Sequence, residues 1–129
     1  MSSEKIKICI KQLPALTDFG VGIYANGKGL STSEKEIQFK EEQLKLINSV
    51  DSFNKTCKWL CDIQQIKSIN TRRTSNGLKH LAERDIGYIT NGVFIAAAIH
   101  CGFKFKIDSN SPNVSFNISE KSLKLIEKI

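Results

Sequence analysis

The chain has 129 residues and a net charge of +6, with 40% hydrophobic and 25% charged residues. This length suffices for one domain whose core needs no disulfide or metal, and the composition is ordinary for a soluble globular protein. No apolar run approaches the ~20 residues that span a membrane, and residues 1–5 lack the pattern of a secretory signal. These features exclude a membrane protein and predict a cytoplasmic single domain.

The positive charge is unevenly distributed along the chain. Residues 70–106 carry six basic residues against only Glu83 and Asp85, whereas the chain on either side is nearly balanced. A basic zone of this kind is typical of a surface that meets a polyanion, although solvated basic surfaces are also common in small soluble proteins. The six basic residues are Arg72, Arg73, Lys79, Arg84, Lys104 and Lys106.

Residues 1–30 are predicted to form a short strand followed by a glycine-rich loop. Residues 5–10, with the sequence KIKICI, alternate polar and apolar side chains as a half-buried strand does. Residues 19–30 are rich in glycine, and Asn26-Gly27 is a strong turn signal. We therefore expect a loop or a small hairpin there.

Residues 31–66 are predicted to be helical, in two segments separated at Asn48-Ser49. Hydroxyl side chains followed by acidic residues indicate that the first helix begins near Ser31. The second helix should end near Gln65 and bury one side, because apolar residues recur in it at helical spacing. This stripe consists of Val50, Phe53, Cys57, Leu60 and Cys61. The polar residues 67–76 are predicted to be a connector.

Two further helices are predicted in the second half of the chain. Ser75 is placed to cap a helix over residues 76–86, which ends at Gly87. The next helix begins at Thr90 or Asn91 and ends before Gly102, a residue type that often follows a helix.

A hairpin and a last helix complete the predicted elements. Residues 103–107 and 114–118 alternate cleanly and are separated by turn formers, which predicts two paired strands. Residues 75–118 therefore form a helix-turn-helix followed by a hairpin, and residues 119–129 form a C-terminal helix. The chain as a whole is predicted to be a mostly helical α+β single domain.

The order helix, turn, helix and hairpin over residues 76–118 resembles a winged-helix domain, which implies DNA binding. Aligned on Gly87, the inner positions are apolar as that resemblance requires, whereas Glu83 stands where the family prefers a small residue. The stretches TSNGLKHLAE, YITNGVFIAAAIHCGF and SPNVSFNIS also resemble small bacterial proteins of mobile elements over residues 74–119. This second resemblance implies a bacterial or phage source and a cytoplasmic protein, and it transfers no site residue.

The second helix of the motif does not suit base reading. Its outward positions Phe94, Ile95 and Ala98 are apolar, whereas base edges are read by side chains such as Arg, Asn or Gln. We therefore predict a non-enzymatic nucleic-acid-binding protein with a regulatory role, which contacts mainly the phosphate backbone. A helix N-terminus, which favours anions, contributes to this interface. The predicted contact residues are Arg72, Arg73, Lys79, Arg84, Thr90, Asn91, Lys104 and Lys106.

The alternative is a protein-interaction module, either an adaptor or an inhibitor encoded by a mobile element. A helix that is apolar on all sides is either buried or lies at an interface. In this hypothesis the helix over residues 90–101 binds a protein partner through Phe94, Ile95 and Ile99. A homodimer is left open, and no membrane partner is expected.

No catalytic, cofactor-binding or metal-binding residue is predicted. Residues 22–29 miss the phosphate-loop pattern, G-x-x-x-x-G-K followed by Ser or Thr, at the final hydroxyl position. Cys57 and Cys61 share a helix face and could combine with His80 and His100, but their spacing lacks the geometry of structural zinc sites. Free buried thiols are the simpler interpretation of the cysteines, and no enzyme is expected.

Overall fold

The computed structural model describes residues 2–109 and 111–128. In this part of the chain six α-helices are combined with two small antiparallel sheets, which confirms the predicted mostly helical α+β class. The helices are α1 (Ser2–Gln12), α2 (Thr32–Ile47), α3 (Val50–Leu60), α4 (Ser75–Ile86), α5 (Asn91–His100) and α6 (Glu120–Glu127). The strands are β1 (Leu16–Thr17), β2 (Gly20–Val21), β3 (Gln65–Asn70), β4 (Phe105–Ile107) and β5 (Val114–Ile118), and a short 3-10 helix covers Tyr24–Gly27.

The predicted strand over residues 5–10 is wrong, because these residues form the middle of α1. In a strand, Ile6 and Ile8 would point to the same face, but the structure buries Ile6 completely and leaves 55% of Ile8 exposed. The core side of α1 contains Ile6 and Cys9, and the buried Leu13 continues this helical period just after the end of the helix. The alternating pattern is therefore one part of a helical stripe.

The start of α2 agrees with the prediction, and the glycine-rich stretch agrees with it only in part. β1 and β2 form a small antiparallel hairpin, although it precedes Asn26-Gly27 instead of turning there. The Ser31 hydroxyl accepts a hydrogen bond from the Glu34 amide, and the Glu34 carboxylate accepts one from the Ser31 amide. This capping box fixes the beginning of α2. The helix ends at Asn48-Ser49, as predicted.

Residues 50–70 differ from the prediction in two ways. α3 ends at Leu60 and not near Gln65, so Cys61 is exposed at the helix end and does not belong to the buried stripe. Residues 65–70 form β3, which pairs antiparallel with β5 in an irregular register, where the sequence predicted the end of a helix and a connector. The side chains of β3 are mostly exposed, so its sequence lacks the alternation of apolar and polar residues by which a half-buried strand is recognised.

The helix boundaries in the second half follow local capping signals. Thr90 caps α5 by accepting a hydrogen bond from the Val93 amide, whereas α4 is capped by Thr74 in place of the predicted Ser75. Gly87 and Gly102 end their helices with φ angles of +82° and +90°, a conformation that favours glycine. α6 ends at Glu127, and Ile129, the last residue of the predicted helix, lies outside the described residues.

β4 and β5 form the predicted hairpin, in which Phe105 pairs with Phe116 and Lys106 with Ser115. β5 is the central strand of a sheet with the order β3-β5-β4, so β4 is an edge strand. All five residues of β5 are buried, and α4 packs against this strand. The helix-turn-helix-plus-hairpin order is thus present, and the winged-helix classification stays a prediction.

α5 is the central element of the core, and every residue from Asn91 to Ile99 is buried. Helices α1, α3 and α4 and the β1–β2 hairpin pack against it. Phe94, Ile95 and Ile99, which the alternative hypothesis assigned to partner binding, are enclosed by this packing. That assignment is wrong, because a docking surface must be exposed.

Candidate functional site

A cleft of about 460 Å³ lies at the N-terminal end of α5, where separate segments of the chain meet. Its volume is in the range of small-molecule sites. The β1–β2 turn contributes Asp18 and Phe19, α2 contributes Glu42, α4 contributes Asn76 and Lys79, the α4–α5 junction contributes Tyr88, Thr90 and Asn91, and the β4–β5 turn contributes Pro112 and Asn113. We refer to it below as the polar cleft.

Asn91 holds three of these segments together. The two hydrogens of its Nδ2 are shared among three acceptors, Phe19 O at 3.3 Å, Pro112 O at 3.2 Å and Asn113 Oδ1 at 3.0 Å. Asn91 is only 7% exposed, and within the described residues its Oδ1 is the one buried side-chain polar atom without a hydrogen-bond partner. Asn91 therefore holds the cleft together, and the prediction that it contacts nucleic acid is corrected.

Asp18, a residue of the same chain, fills the position at the N-terminal end of α5. Its backbone carbonyl accepts a hydrogen bond from the Gly92 amide at 3.1 Å, and its carboxylate accepts one from the Thr90 hydroxyl at 2.8 Å. A helix N-terminus favours an anion, and here the chain itself supplies that anion. The prediction that Thr90 contacts phosphate is corrected for this reason.

The carboxyl group of Asp18 is half-buried. Burial raises its pKa above the ordinary value of 3.8; the hydrogen bond from Thr90 opposes this rise, and the nearby Glu42 carboxylate adds to it. Asp18 takes part in none of the ion pairs of residues 2–109 and 111–128. The cleft thus contains a partly desolvated carboxylate that no ion pair neutralises.

Lys79 is buried and paired, in contrast to the exposed phosphate contact that the sequence predicted. Its Nζ lies 3.3 Å from Glu83 Oε2 and 5.3 Å from the centre of the Tyr88 ring. Glu83 also accepts a hydrogen bond from the Ile89 amide at 3.1 Å and contacts His80 Nδ1 at 2.9 Å. Burial acts to raise the pKa of Glu83, but these hydrogen bonds outweigh it and lower the pKa. Glu83 stands where helix-turn-helix motifs prefer a small residue. In this structure its carboxylate links α4 to the turn between α4 and α5.

Arg73 is bound to α6 and is not free for phosphate. Its guanidinium contacts Glu120 Oε2 at 2.7 Å and Glu127 Oε2 at 2.8 Å. Hydrogen bonds from Arg73 and Asn70 lower the pKa of Glu120 to about 2. The prediction for Arg73 is corrected as well, because two carboxylates compete with any external phosphate for its guanidinium.

The four remaining predicted contact residues are exposed and form no ion pair in the described part of the chain; they are Arg72, Arg84, Lys104 and Lys106. Lys104 directly precedes the edge strand β4 and Lys106 lies within it, and in extended chain residues two apart are expected to point to the same side. Arg84 lies near Glu127, whose pKa it helps to lower. The structure therefore separates the eight predicted residues into cleft residues, an ion-paired arginine and exposed cations.

The acidic residues of the polar cleft were missed by sequence reasoning. Lys79, Thr90 and Asn91 were singled out for another purpose, whereas Asp18 and Glu42 belong to no motif. Their proximity arises from the packing of β1, β2 and α2 against the helix-turn-helix segment. No local signal could have indicated it.

The cysteines form no metal site in the part of the chain that the structure describes, where no group of three or more His, Cys, Asp or Glu side chains is arranged to hold an ion. Cys9 is buried, which raises the pKa of its thiol to about 11. Cys101 Sγ lies 3.8 Å from the Cys57 carbonyl oxygen, and Cys61 is exposed at the end of α3.

Comparisons of the chain with protein-family models, with curated proteins and with solved structures find no match. Among the described helices, none combines the length and the apolar character that crossing a membrane requires.

Proposed function

We propose that this protein binds nucleic acid through the phosphate backbone, without an enzymatic step. The observation that carries the proposal is the pair Lys104 and Lys106, which lie exposed at the start of the edge strand β4 and pair with no described carboxylate. Cations that are not neutralised internally can replace the counterions of phosphates. Arg72 and Arg84 are also exposed and extend the set of candidate contacts.

Phosphate contacts give affinity without sequence preference. The burial of Phe94, Ile95 and Ala98 in α5 supports this form of binding, because the helix has no free face with which to read base edges. We expect a steep dependence on salt and similar affinity for unrelated duplexes. In a regulatory role, the protein would act by covering nucleic acid instead of recognising one operator.

Fluorescence anisotropy with a labelled DNA duplex at low and moderate salt tests the proposal. The variant Lys104→Glu with Lys106→Glu should bind at least about tenfold more weakly at low salt, and its affinity should fall less steeply with salt, since two phosphate contacts are lost. The matched control is Lys40→Glu with Lys55→Glu, which changes the net charge equally at exposed positions on α2 and α3.

Three results would contradict the proposal. They are absence of wild-type binding at low salt, binding that does not respond to salt, and equal weakening in the two double variants. The last result would mean that net charge alone, and not the β4 pair, attracts the DNA. Circular-dichroism melting of each variant shows whether a loss of binding reflects a loss of fold.

The alternative function, a protein-interaction module built on α5, has no comparable observation in its favour. Its contact residues Phe94, Ile95 and Ile99 lie in the core. An adaptor or inhibitor role through that helix is therefore not proposed.

A further inference from the structure

We propose that the polar cleft binds a small organic cation, an ammonium group carried on a compact apolar body. This site goes beyond nucleic-acid binding and shares no residue with the exposed cations Lys104 and Lys106. Its charge, its unused acceptor and its aromatic walls each support a ligand of this class.

The carboxylates give the cleft a negative charge. Asp18 enters from the β1–β2 turn and Glu42 from α2. Lys79 also lines the cleft, but Glu83 neutralises it at 3.3 Å. Glu42 lies 3.0 Å from Lys45, whose side chain is largely exposed, so that water weakens this pair. Asp18 has no ion pair among the described residues, which makes it the anchor for an ammonium group.

Asn91 adds an acceptor that the protein leaves unused. Its Nδ2 is engaged by three oxygen atoms, which fixes the orientation of the amide and leaves Oδ1 without a donor among the described residues. A buried acceptor without a partner is costly for the folded state. Because Oδ1 has almost no accessible surface, a ligand N–H group would pair with it only where the side chains that cover it move apart, whereas an anion, which brings only acceptors, would not pair with it at all.

Apolar side chains line the cleft and can hold the body of the ligand. They are Phe19, Tyr88 and Pro112, and Tyr88 is 78% exposed. Aromatic faces attract ammonium groups, and Lys79 already uses the Tyr88 ring in this way at 5.3 Å. A cleft of about 460 Å³ admits a molecule of the size of an arylalkyl amine.

The position that would favour an anion is already taken. The backbone carbonyl of Asp18 accepts the hydrogen bond of the Gly92 amide at 3.1 Å, at the N-terminus of α5. An anionic ligand would also approach the carboxylates of Asp18 and Glu42, and like charges at close range repel each other. The cleft therefore selects against phosphate and carboxylate ligands.

An amide-detected NMR titration of the full chain with phenethylammonium tests the inference. We expect the largest shifts at the side-chain amide of Asn91 and at the backbone amides of Phe19 and Tyr88. Neutral phenethyl alcohol and anionic hydrocinnamate share the ring and have a similar length, so they isolate the contribution of the charge. Both should bind at least about tenfold more weakly, because the charge-assisted hydrogen bond is absent.

Two variants assign the binding to the carboxylates with little change of shape. Asp18→Asn should weaken phenethylammonium binding by about tenfold or more, and Glu42→Gln should weaken it less, because Glu42 already has Lys45 as a partner. Glu41→Gln is the matched control, since Glu41 is exposed on the same helix and does not line the cleft. Melting curves of the three variants establish that each is folded.

The inference is overturned by any of four results. These are no binding of phenethylammonium at millimolar concentration, equal or tighter binding of hydrocinnamate, shifts located outside the cleft, and unchanged affinity in both Asp18→Asn and Glu42→Gln. None of these results depends on whether the protein also binds DNA.

Discussion

At the level of single residues, Asp18 brings two opposing effects together. The N-terminus of α5 stabilises a negative charge through its amides and dipole, and the Thr90 hydroxyl donates to the carboxylate at 2.8 Å. Burial acts in the opposite direction and is the largest influence on the pKa of Asp18, which is raised. The folded protein therefore keeps the ionised form of this side chain at a cost.

Asp18→Asn should make the protein slightly more stable at neutral pH. Asparagine keeps an oxygen that can accept the Thr90 hydrogen bond, and it removes the half-buried charge. The gain in unfolding free energy should stay below about 1 kcal/mol, because solvent screens a carboxyl group that is only half-buried. Urea denaturation of both proteins at neutral pH measures this difference.

The same comparison at lower pH checks the sign of the pKa shift. The folded-state pKa lies above the ordinary 3.8, so the destabilisation by ionised Asp18 is present at neutral pH. It is lost as the pH falls through the folded-state pKa towards the ordinary value, and the two proteins should become equally stable there. A wild type that is more stable than the variant at neutral pH would show that the α5 dipole dominates.

At the level of secondary-structure elements, α5 and β1 approach so closely that only glycine fits between them. A Cβ atom on Gly92 would overlap the Thr17 carbonyl oxygen and lie 2.8 Å from the Asp18 Cα. Both obstacles are backbone atoms, which cannot move aside by a change of rotamer. This contact attaches the first turn of α5 to the β1–β2 hairpin and so shapes one wall of the polar cleft.

Gly92→Ala should be clearly destabilising, although alanine is the better helix former. The propensity gain is at most about 1 kcal/mol, whereas overpacking against the backbone costs about 1–3 kcal/mol or more. We expect a net loss of about 2 kcal/mol in the free energy of unfolding, measured by urea denaturation.

Gly77→Ala in α4 is the matched control for this substitution. Its new Cβ would meet only Thr74 Oγ1 at 3.6 Å, an ordinary contact. This variant should be neutral or more stable than the wild type, because alanine reduces the conformational freedom of the unfolded chain. If both alanine variants were equally stable, α5 and β1 would not approach each other as closely as described.

At the level of the whole molecule, α5 joins the two halves of the chain into one core. α1 and the β1–β2 hairpin cover it from the N-terminal half, and Cys9 Sγ donates to the Ala96 carbonyl at 3.2 Å. The ring of Phe94 lies 6.3 Å from that of Trp59 on α3 and 6.1 Å from that of Phe116 on β5. Removing any one of these packed elements would expose apolar surface on α5, so the elements should unfold together.

The chain should therefore unfold in a single cooperative transition. Trp59 fluorescence reports on the α3–α5 contact, and far-ultraviolet circular dichroism reports on all the helices, so their denaturation curves should coincide. Phe94→Ala should shift both curves together and cost about 3–5 kcal/mol, whereas Leu125→Ala, at an exposed position, should have little effect. Wild-type curves that separate would mean that the two halves do not share one core.

Local signals predicted the elements correctly where capping residues or turn formers stand beside an apolar pattern. Ser31 at the start of α2 and Gly87 at the end of α4 are such cases, because their hydrogen bonds and backbone angles involve only near neighbours. The prediction of a strand from the pattern KIKICI was wrong, because six residues are too few to distinguish the period of a strand from part of a helical stripe. The strand β3 was not predicted, because its side chains are mostly exposed and its partner strand β5 is distant in sequence.

The sequence by itself determined the α+β class, most helix boundaries, the apolar character of α5 and the basic surplus around it. Only the tertiary structure decided which cations stay free, since Arg73 lies between two carboxylates and Lys79 against Glu83. It also decided that α5 is enclosed and that a polar cleft forms at its N-terminus. Both depend on the packing of segments far apart in the chain, and short-range patterns carry no information about such contacts.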